Sequence, residues 1–173
     1  MTTKTLGALG PADKASYEVR MKWIDMPPVY LIAAIVIAWA QARFAAFGLS
    51  FGAARGWYWA DFMGGLMIGA GLLLLVLAAV EMRRKRTTII PHREADALVD
   101  TGIFSRSRNP IYLGDALILT GAILWMDAVL ALVLVPLFIW IIERRFILPE
   151  EQALRRKFHT VFAKYSQKTR RWI

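Results

Sequence analysis

The chain has 173 residues, one domain by length, and 57% of them are apolar, against roughly 45–50% in soluble proteins. It has no cysteine, which excludes disulfides and thiolate metal sites, and the isolated His92 and His159 form no metal-ligand spacing. The net charge of +9 lies in clusters between apolar runs, so it reads as a basic collar for anionic headgroups and not as a nucleic-acid surface.

The first segment, 1–28, is polar and mixed in charge, without the early apolar core of a signal peptide. Tyr17, Met21 and Ile24 fall at helical spacing, compatible with a short surface helix or with a disordered tail. Pro27-Pro28 ends any such helix and starts the next element. Val29 to Phe47 is a first candidate span, close to the ~20 residues that cross a bilayer, and Gln41 and Arg43 near its end can snorkel. Gly48 to Ala60 is a glycine and aromatic loop. Its Trp57, Tyr58 and Trp59 read as an interfacial belt, with the lining of a substrate gateway as the alternative. Phe62 to Val80 is a second, uncharged span bracketed by Asp61 and Glu81. Gly65 and Gly69 form a small-xxx-small pair that lets a neighbouring helix approach closely.

Arg83-Arg84-Lys85-Arg86 stops transfer. Seven Lys/Arg fall between Arg83 and Arg108, nine from Glu143 onward and four in the N-terminal segment, against only Arg43 and Arg55 near the loop between the first two spans. The positive-inside rule then places both termini and the central loop in the cytoplasm, which four spans satisfy and three or five do not. The third and fourth spans, Ile111 to Met126 and Ala128 to Ile142, join in a tight hairpin at Asp127. They are short: about sixteen helical residues rise only about 24 Å, less than the ~30 Å hydrocarbon core. Either the helices extend through Glu143 to Leu148, or the bilayer thins. Pro136 predicts a kink in the fourth span. Asp115, one turn inside the third, should face protein or water; it is either functional or merely hydrated near the interface. Pro149 should end the hairpin and open a final helix with Glu150 and Glu151 in its first turn, where the macrodipole favours them. Leu154, Phe158, Phe162 and Tyr165 make an apolar stripe on that helix, and its basic residues fall largely elsewhere. Such a helix lies on the membrane or covers the mouth of the bundle. The expected fold class is therefore all-α: a polytopic membrane helix bundle of about four transmembrane helices with a C-terminal cytoplasmic amphipathic helix. Its parts are 1–28, the first two spans 29–82, and a core 83–173.

Between the basic loop and the second hairpin stands Thr101 to Gly114, TGIFSRSRNPIYLG. Thr101-Gly102 is a turn signal, because glycine tolerates positive φ. Pro110 pushes Asn109 out of the helical region and suits the first turn of a following helix. The stretch thus delivers Arg108 and Asn109 at a helix mouth.

Arg108, Asn109, Pro110, Tyr112, Leu113-Gly114, followed after one hydrophobic hairpin by Glu150-Glu151, Leu154, Phe158, Tyr165 and Arg171-Trp172, resemble the two-part signature of the isoprenylcysteine carboxyl methyltransferase and phospholipid methyltransferase superfamily. Asn109 stands where histidine is usual, a departure that many bacterial-type members share. His159 stands where glycine is common, and Phe162 where tyrosine is common. The resemblance covers roughly residues 87–173. It implies a multi-pass membrane enzyme of a bacterial inner membrane that uses S-adenosylmethionine without a Rossmann fold, and no G-x-G-x-x-G occurs here. It also implies that the motif and the C-terminal helix enclose the cofactor.

Methyl transfer from a sulfonium needs positioning and exclusion of water more than it needs acid or base groups. The cofactor calls for a carboxylate against ribose hydroxyls or ammonium, a cation against its carboxylate, and an aromatic wall for adenine. Glu150 or Glu151 can supply the carboxylate, and Arg108 or Arg171 the cation. Tyr112, Phe158, Tyr165 and Trp172 are candidate walls, and the backbone at Asn109-Pro110 offers free polar groups. Arg108 and Asp115 are the catalytic candidates. The cofactor-binding set is Arg108, Asn109, Pro110, Tyr112, Gly114, Glu150, Glu151, Tyr165 and Arg171. The acceptor is expected to be a lipid or small apolar molecule reached from the bilayer: an isoprenylcysteine-like carboxylate, a lipid amine or a thiol. A sterol-reductase-type membrane enzyme using NADPH and a non-enzymatic lipid-binding scaffold are the competing readings.

Overall fold

The computed structural model describes residues 26–52, 56, 58–85 and 97–173. Tyr17, Met21, Ile24, Trp57, Arg86 and His92 lie outside the described residues. Within them the chain is helical, with no strand. Helix α1 is Pro27–Phe44 and α2 is Trp59–Arg84. Helix α3 is Pro110–Trp125, α4 is Leu134–Ile142 and α5 is Leu148–Lys168.

Prolines open α1 and α3, where a missing N–H costs nothing. Gly102 takes φ 58° ahead of a short 3-10 turn, Gly102–Ser105. Asn109 sits at φ −130°, outside the helical region, as the following proline requires.

Helices α1 and α2 are long and apolar enough to cross a membrane. Their outer faces are apolar: Ile32, Val36, Ile37 and Trp39 on α1, and Phe62, Leu66, Leu72 and Val76 on α2, are all exposed. Small residues turn inward instead, with Ala34 and Ala38 on α1 and Gly64, Gly71 and Ala78 on α2. Helices in lipid gain little by hiding large apolar groups from one another, so close backbone approach at small residues holds them together.

The closest approach is between antiparallel α2 and α3. A Cβ on Gly64 would lie 2.6 Å from the Gly121 carbonyl oxygen, and one on Gly71 would lie 2.6 Å from that of Gly114. The Gly65 and Gly69 pair expected from the sequence does not make this contact. A Cβ on Gly69 would meet nothing, and one on Gly65 only the Trp125 ring at 3.8 Å. The reason is angular: Gly64 and Gly71, two turns apart, share one face, and Gly65 is about 100° away from it.

Helix α3 is the axis of the bundle, burying Tyr112, Asp115, Ala116, Leu119 and Ile123 among other residues. The hairpin turns at Asp127, whose φ is 55°. The expected single helix from Ala128 to Ile142 is instead a 3-10 segment, Val129–Val133, followed by α4. Pro136 therefore falls in the first turn of α4, just after the winding changes from 3-10 to α, and not in the middle of one long α-helix.

Pro149 does not end the hairpin. The backbone stays helical from α4 into α5 through a π-helical turn, Glu143–Ile147. A proline ring collides with the carbonyl four residues back in an ordinary α-helix, and the wider π turn just ahead of Pro149 is where the ladder gives way. The break comes later, at His159, with φ 38° and ψ −112°. It splits the expected stripe: Phe162 and Tyr165, beyond the break, are buried, and Leu154 and Phe158, before it, are half-buried.

Candidate active site at the mouth of α3

The residues before α3 and those after α5 run against each other. The Arg108 amide donates to the Arg170 carbonyl at 3.0 Å. Asn109 Nδ2 donates to the Arg171 carbonyl at 3.0 Å, and Ser107 Oγ accepts from the Asn109 amide at 3.2 Å. Thr169 Oγ1 donates to the Ser105 carbonyl at 3.3 Å, and Tyr165 Oη to that of Phe104 at 2.7 Å. Trp172 packs on the main core cluster. This lacing holds the C-terminal segment in place without a regular element.

Into the same place α5 brings its first-turn carboxylates. Arg108 Nη2 lies 3.1 Å from Glu151 Oε1, and the two side chains are only 14% and 12% exposed. Arg171 grips Glu151 in bidentate fashion, Nε to Oε1 at 3.1 Å and Nη2 to Oε2 at 2.9 Å. Its Nη1 reaches Glu143 at 2.5 Å. Planar fork contacts of this kind fix direction as well as charge. Glu151 and its neighbours hold the Arg171 guanidinium even more firmly protonated than usual, the hydrogen bonding it donates to Glu151 being the chief cause.

The four side chains Arg108, Glu151, Arg171 and Glu143 alternate in sign and sum to zero. One donor is left over: Arg108 Nε is buried with no acceptor among the described residues. Arg108 Nη1 is spent on the Ser166 carbonyl at 3.3 Å. A buried N–H left unpaired is costly, so this atom is where an added acceptor oxygen would be welcome.

Around the cluster, Tyr112 Oη donates to Glu150 Oε1 at 2.8 Å. Pro110 is fully buried. Burial pushes the Tyr165 phenol up, and the Arg108 charge beside it pulls the other way. Asp115 is 5% exposed and inside the bundle. The structure thus gathers Arg108, Asn109, Pro110, Tyr112, Glu150, Glu151, Tyr165 and Arg171 at one end of α3. Gly114 sits elsewhere, against Gly71 and Leu75 of α2. Glu143 and Ser107 belong to the cluster and were not singled out from sequence. Glu143 could be found only by knowing that the helix runs on past Pro149.

Residues 59–161 match the phospholipid methyltransferase family. The chain belongs to that family. The match spans more than half of the chain, including α2, α3, α4 and most of α5. No curated protein and no solved structure matches. Family membership makes the chain an S-adenosylmethionine-dependent methyltransferase and sets aside the reductase and scaffold readings. The donor set fits such a cofactor: two guanidiniums and several carboxylates, with the Arg108 Nε hydrogen unspent.

Proposed function

We propose that the enzyme transfers the cofactor methyl group at the mouth of α3 to a lipid-embedded or small apolar acceptor that arrives from the bilayer. The observation that carries this reading is the convergence of Arg108 and Arg171 on Glu151, with Arg108 Nε left without an acceptor. When bound, the cofactor supplies an electrophilic methyl on a sulfonium sulfur. Arg108 offers Nε to its carboxylate. Glu150 and Glu151 accept from ribose hydroxyls or the ammonium, Tyr112 and Tyr165 wall the site, and Asn109-Pro110 and Arg171 fix its rim. Asp115, buried close to Tyr112, orients the acceptor. With an amine or thiol acceptor it also takes the proton released as the new bond to carbon forms; a carboxylate acceptor releases none.

The same reading gives a topology of four crossings, with both termini and the central loop cytoplasmic in a bacterial inner membrane. The lipid-facing apolar surfaces of α1 and α2 support it, as does the basic loop after α2. Titration of the detergent-solubilised protein with S-adenosylhomocysteine, followed by an acceptor screen, tests the chemistry. Binding with turnover on a lipid amine, thiol or prenylcysteine carboxylate is expected; absence of cofactor binding in folded protein rejects the placement. Reporter fusions at Ala54 and Ile173 should report opposite sides of the membrane, and the same side for both rejects the topology.

A further inference from the structure

A second polar feature adjoins the site. A cavity of about 420 Å³ opens between the loop before α3 and the half of α5 that follows the His159 break; Asp100, Ser105, Thr160, Lys164, Tyr165 and Lys168 are on its walls. That size lies within the usual range for ligand sites, roughly 300–1,000 Å³. Tyr165 ties it to the cluster described above, since Arg108 acts on the same phenol.

The charges on its walls are unequal. Asp100 already faces Lys85 at 4.0 Å. Lys164 and Lys168, one helical turn apart, have no ion-pair partner among the described residues. Like charges at this spacing repel each other across ~5–6 Å between their Cβ atoms. Two ammonium groups so placed can close on an oxyanion from both sides. Each is a rotatable point charge, suited to phosphate without demanding a fixed angle. The Thr160 hydroxyl is a third donor on the same wall. By contrast, both arginines of the neighbouring cluster are held by carboxylates, and only Arg108 Nε is unspent there.

We propose that this cavity holds the phosphodiester of a lipid headgroup, with Lys164 and Lys168 as its clamp, and so sets the acceptor lipid beside Tyr165 and Arg108. This rests on the lipid-acceptor reading above. It makes the two lysines specificity-determining residues for lipids that carry a phosphate.

The test uses the full chain in mixed micelles, with binding followed by quenching of tryptophan fluorescence by brominated lipid. Phosphatidylglycerol and phosphatidylcholine carry the phosphodiester, and diacylglycerol lacks it. Both phospholipids should bind more tightly than diacylglycerol. Lys164→Gln/Lys168→Gln should weaken both about tenfold, the scale of a lost charge-assisted contact, and leave diacylglycerol unchanged. Arg155→Gln/Arg156→Gln removes the same charge from the other half of α5 and should leave phosphatidylcholine binding as it was. If the arginine pair costs as much as the lysine pair, attraction is a property of the whole basic surface and the site is wrong. If the lysine variant loses S-adenosylhomocysteine affinity and keeps lipid affinity, the oxyanion is the cofactor's carboxylate and the lipid site is overturned. Should the wild type methylate a phospholipid with KM unchanged in the lysine variant, the site fails and the lipid-acceptor reading stands. Lysine-dependent phospholipid binding with methyl transfer only to non-lipid acceptors would leave the site standing and overturn its role in acceptor choice.

Discussion

The two ends of α3 carry two polar clusters built on opposite terms. At the far end, Asp127 accepts from Ser50 Oγ at 2.5 Å and from the Phe51 amide at 2.6 Å, and Trp59 Nε1 donates to the Phe51 carbonyl at 2.7 Å. Every contact there is short in reach: Asp127 ties the α1–α2 loop to the α3–α4 turn, and Trp59 ties that loop to the start of α2. At the near end, about 24 Å away along a helix of this length, two arginines share one carboxylate and a buried N–H has no acceptor. The far cluster closes a hairpin. The near cluster holds long, charged side chains in fixed directions and leaves bonding capacity over. Satisfied polar contacts mark where a fold is fastened; a paired network with one unspent donor marks where it waits for a ligand.

The sharpest way to break this contrast is Glu151→Ala. It should weaken S-adenosylhomocysteine binding ten- to a hundredfold, from the loss of a charge-assisted contact worth roughly 1.5–3 kcal/mol. Arg108→Ala should do the same, and the double variant should lose less than the sum, because both act on one ligand. Isothermal titration on folded protein decides it, and wild-type affinity in both single variants would move the site elsewhere. At the other end, Asp127→Ala should cost about 1–3 kcal/mol of stability by stranding two donors, with cofactor affinity unchanged. A drop in affinity there would show that the two clusters are coupled. Between them, one turn from the far end of α3, Gly121→Ala drives a Cβ to 2.6 Å from the Gly64 carbonyl. Overpacking of that kind costs about 1–3 kcal/mol, visible as a lower thermal midpoint with both ends affected alike. The smallest effect runs the other way. His159→Gly should stabilise by about 0.5–1 kcal/mol, because a left-handed residue costs ~1–2 kcal/mol and glycine's extra unfolded-state entropy offsets part of that gain. A destabilised His159→Gly variant would mean that the break is held by the imidazole itself.

The contrast between the ends was only half legible in the sequence. Local stops were readable: Pro27, Gly102, Asn109-Pro110 and the turn at Asp127 each announce themselves through φ requirements that neighbours cannot override. That a hairpin returning to its own face brings Glu151 to Arg108 follows from topology alone. What failed was whatever depends on a second element. The α2 glycines that matter are chosen by which face α3 approaches, so Gly65 and Gly69 looked as good as Gly64 and Gly71. Gly114, part of the motif by its spacing, faces α2 for the same reason. The partner of Asp127 lies more than seventy residues back, in a loop whose glycines and serine point to turns but not to a destination. Pro149 misled because proline's effect depends on the turn before it, and a π turn has no composition of its own. His159, by contrast, was flagged by resemblance: it occupies a position where glycine is common, and its φ of 38° gives the physical reason.

The π turn at Glu143–Ile147 sets the angular phase of everything after it. In an unbroken α-helix, Glu143 and Glu151 would point about 80° apart at 100° per residue. One residue's worth of unwinding returns them close to a single line, and one guanidinium, that of Arg171, then reaches both. The turn therefore acts as a vernier between the hairpin and the C-terminal helix. The same residues wound as a plain α-helix would keep every side chain of the cluster and swing Glu151 by about a quarter of a turn out of step with Glu143. In this helix, winding is as much a site determinant as identity.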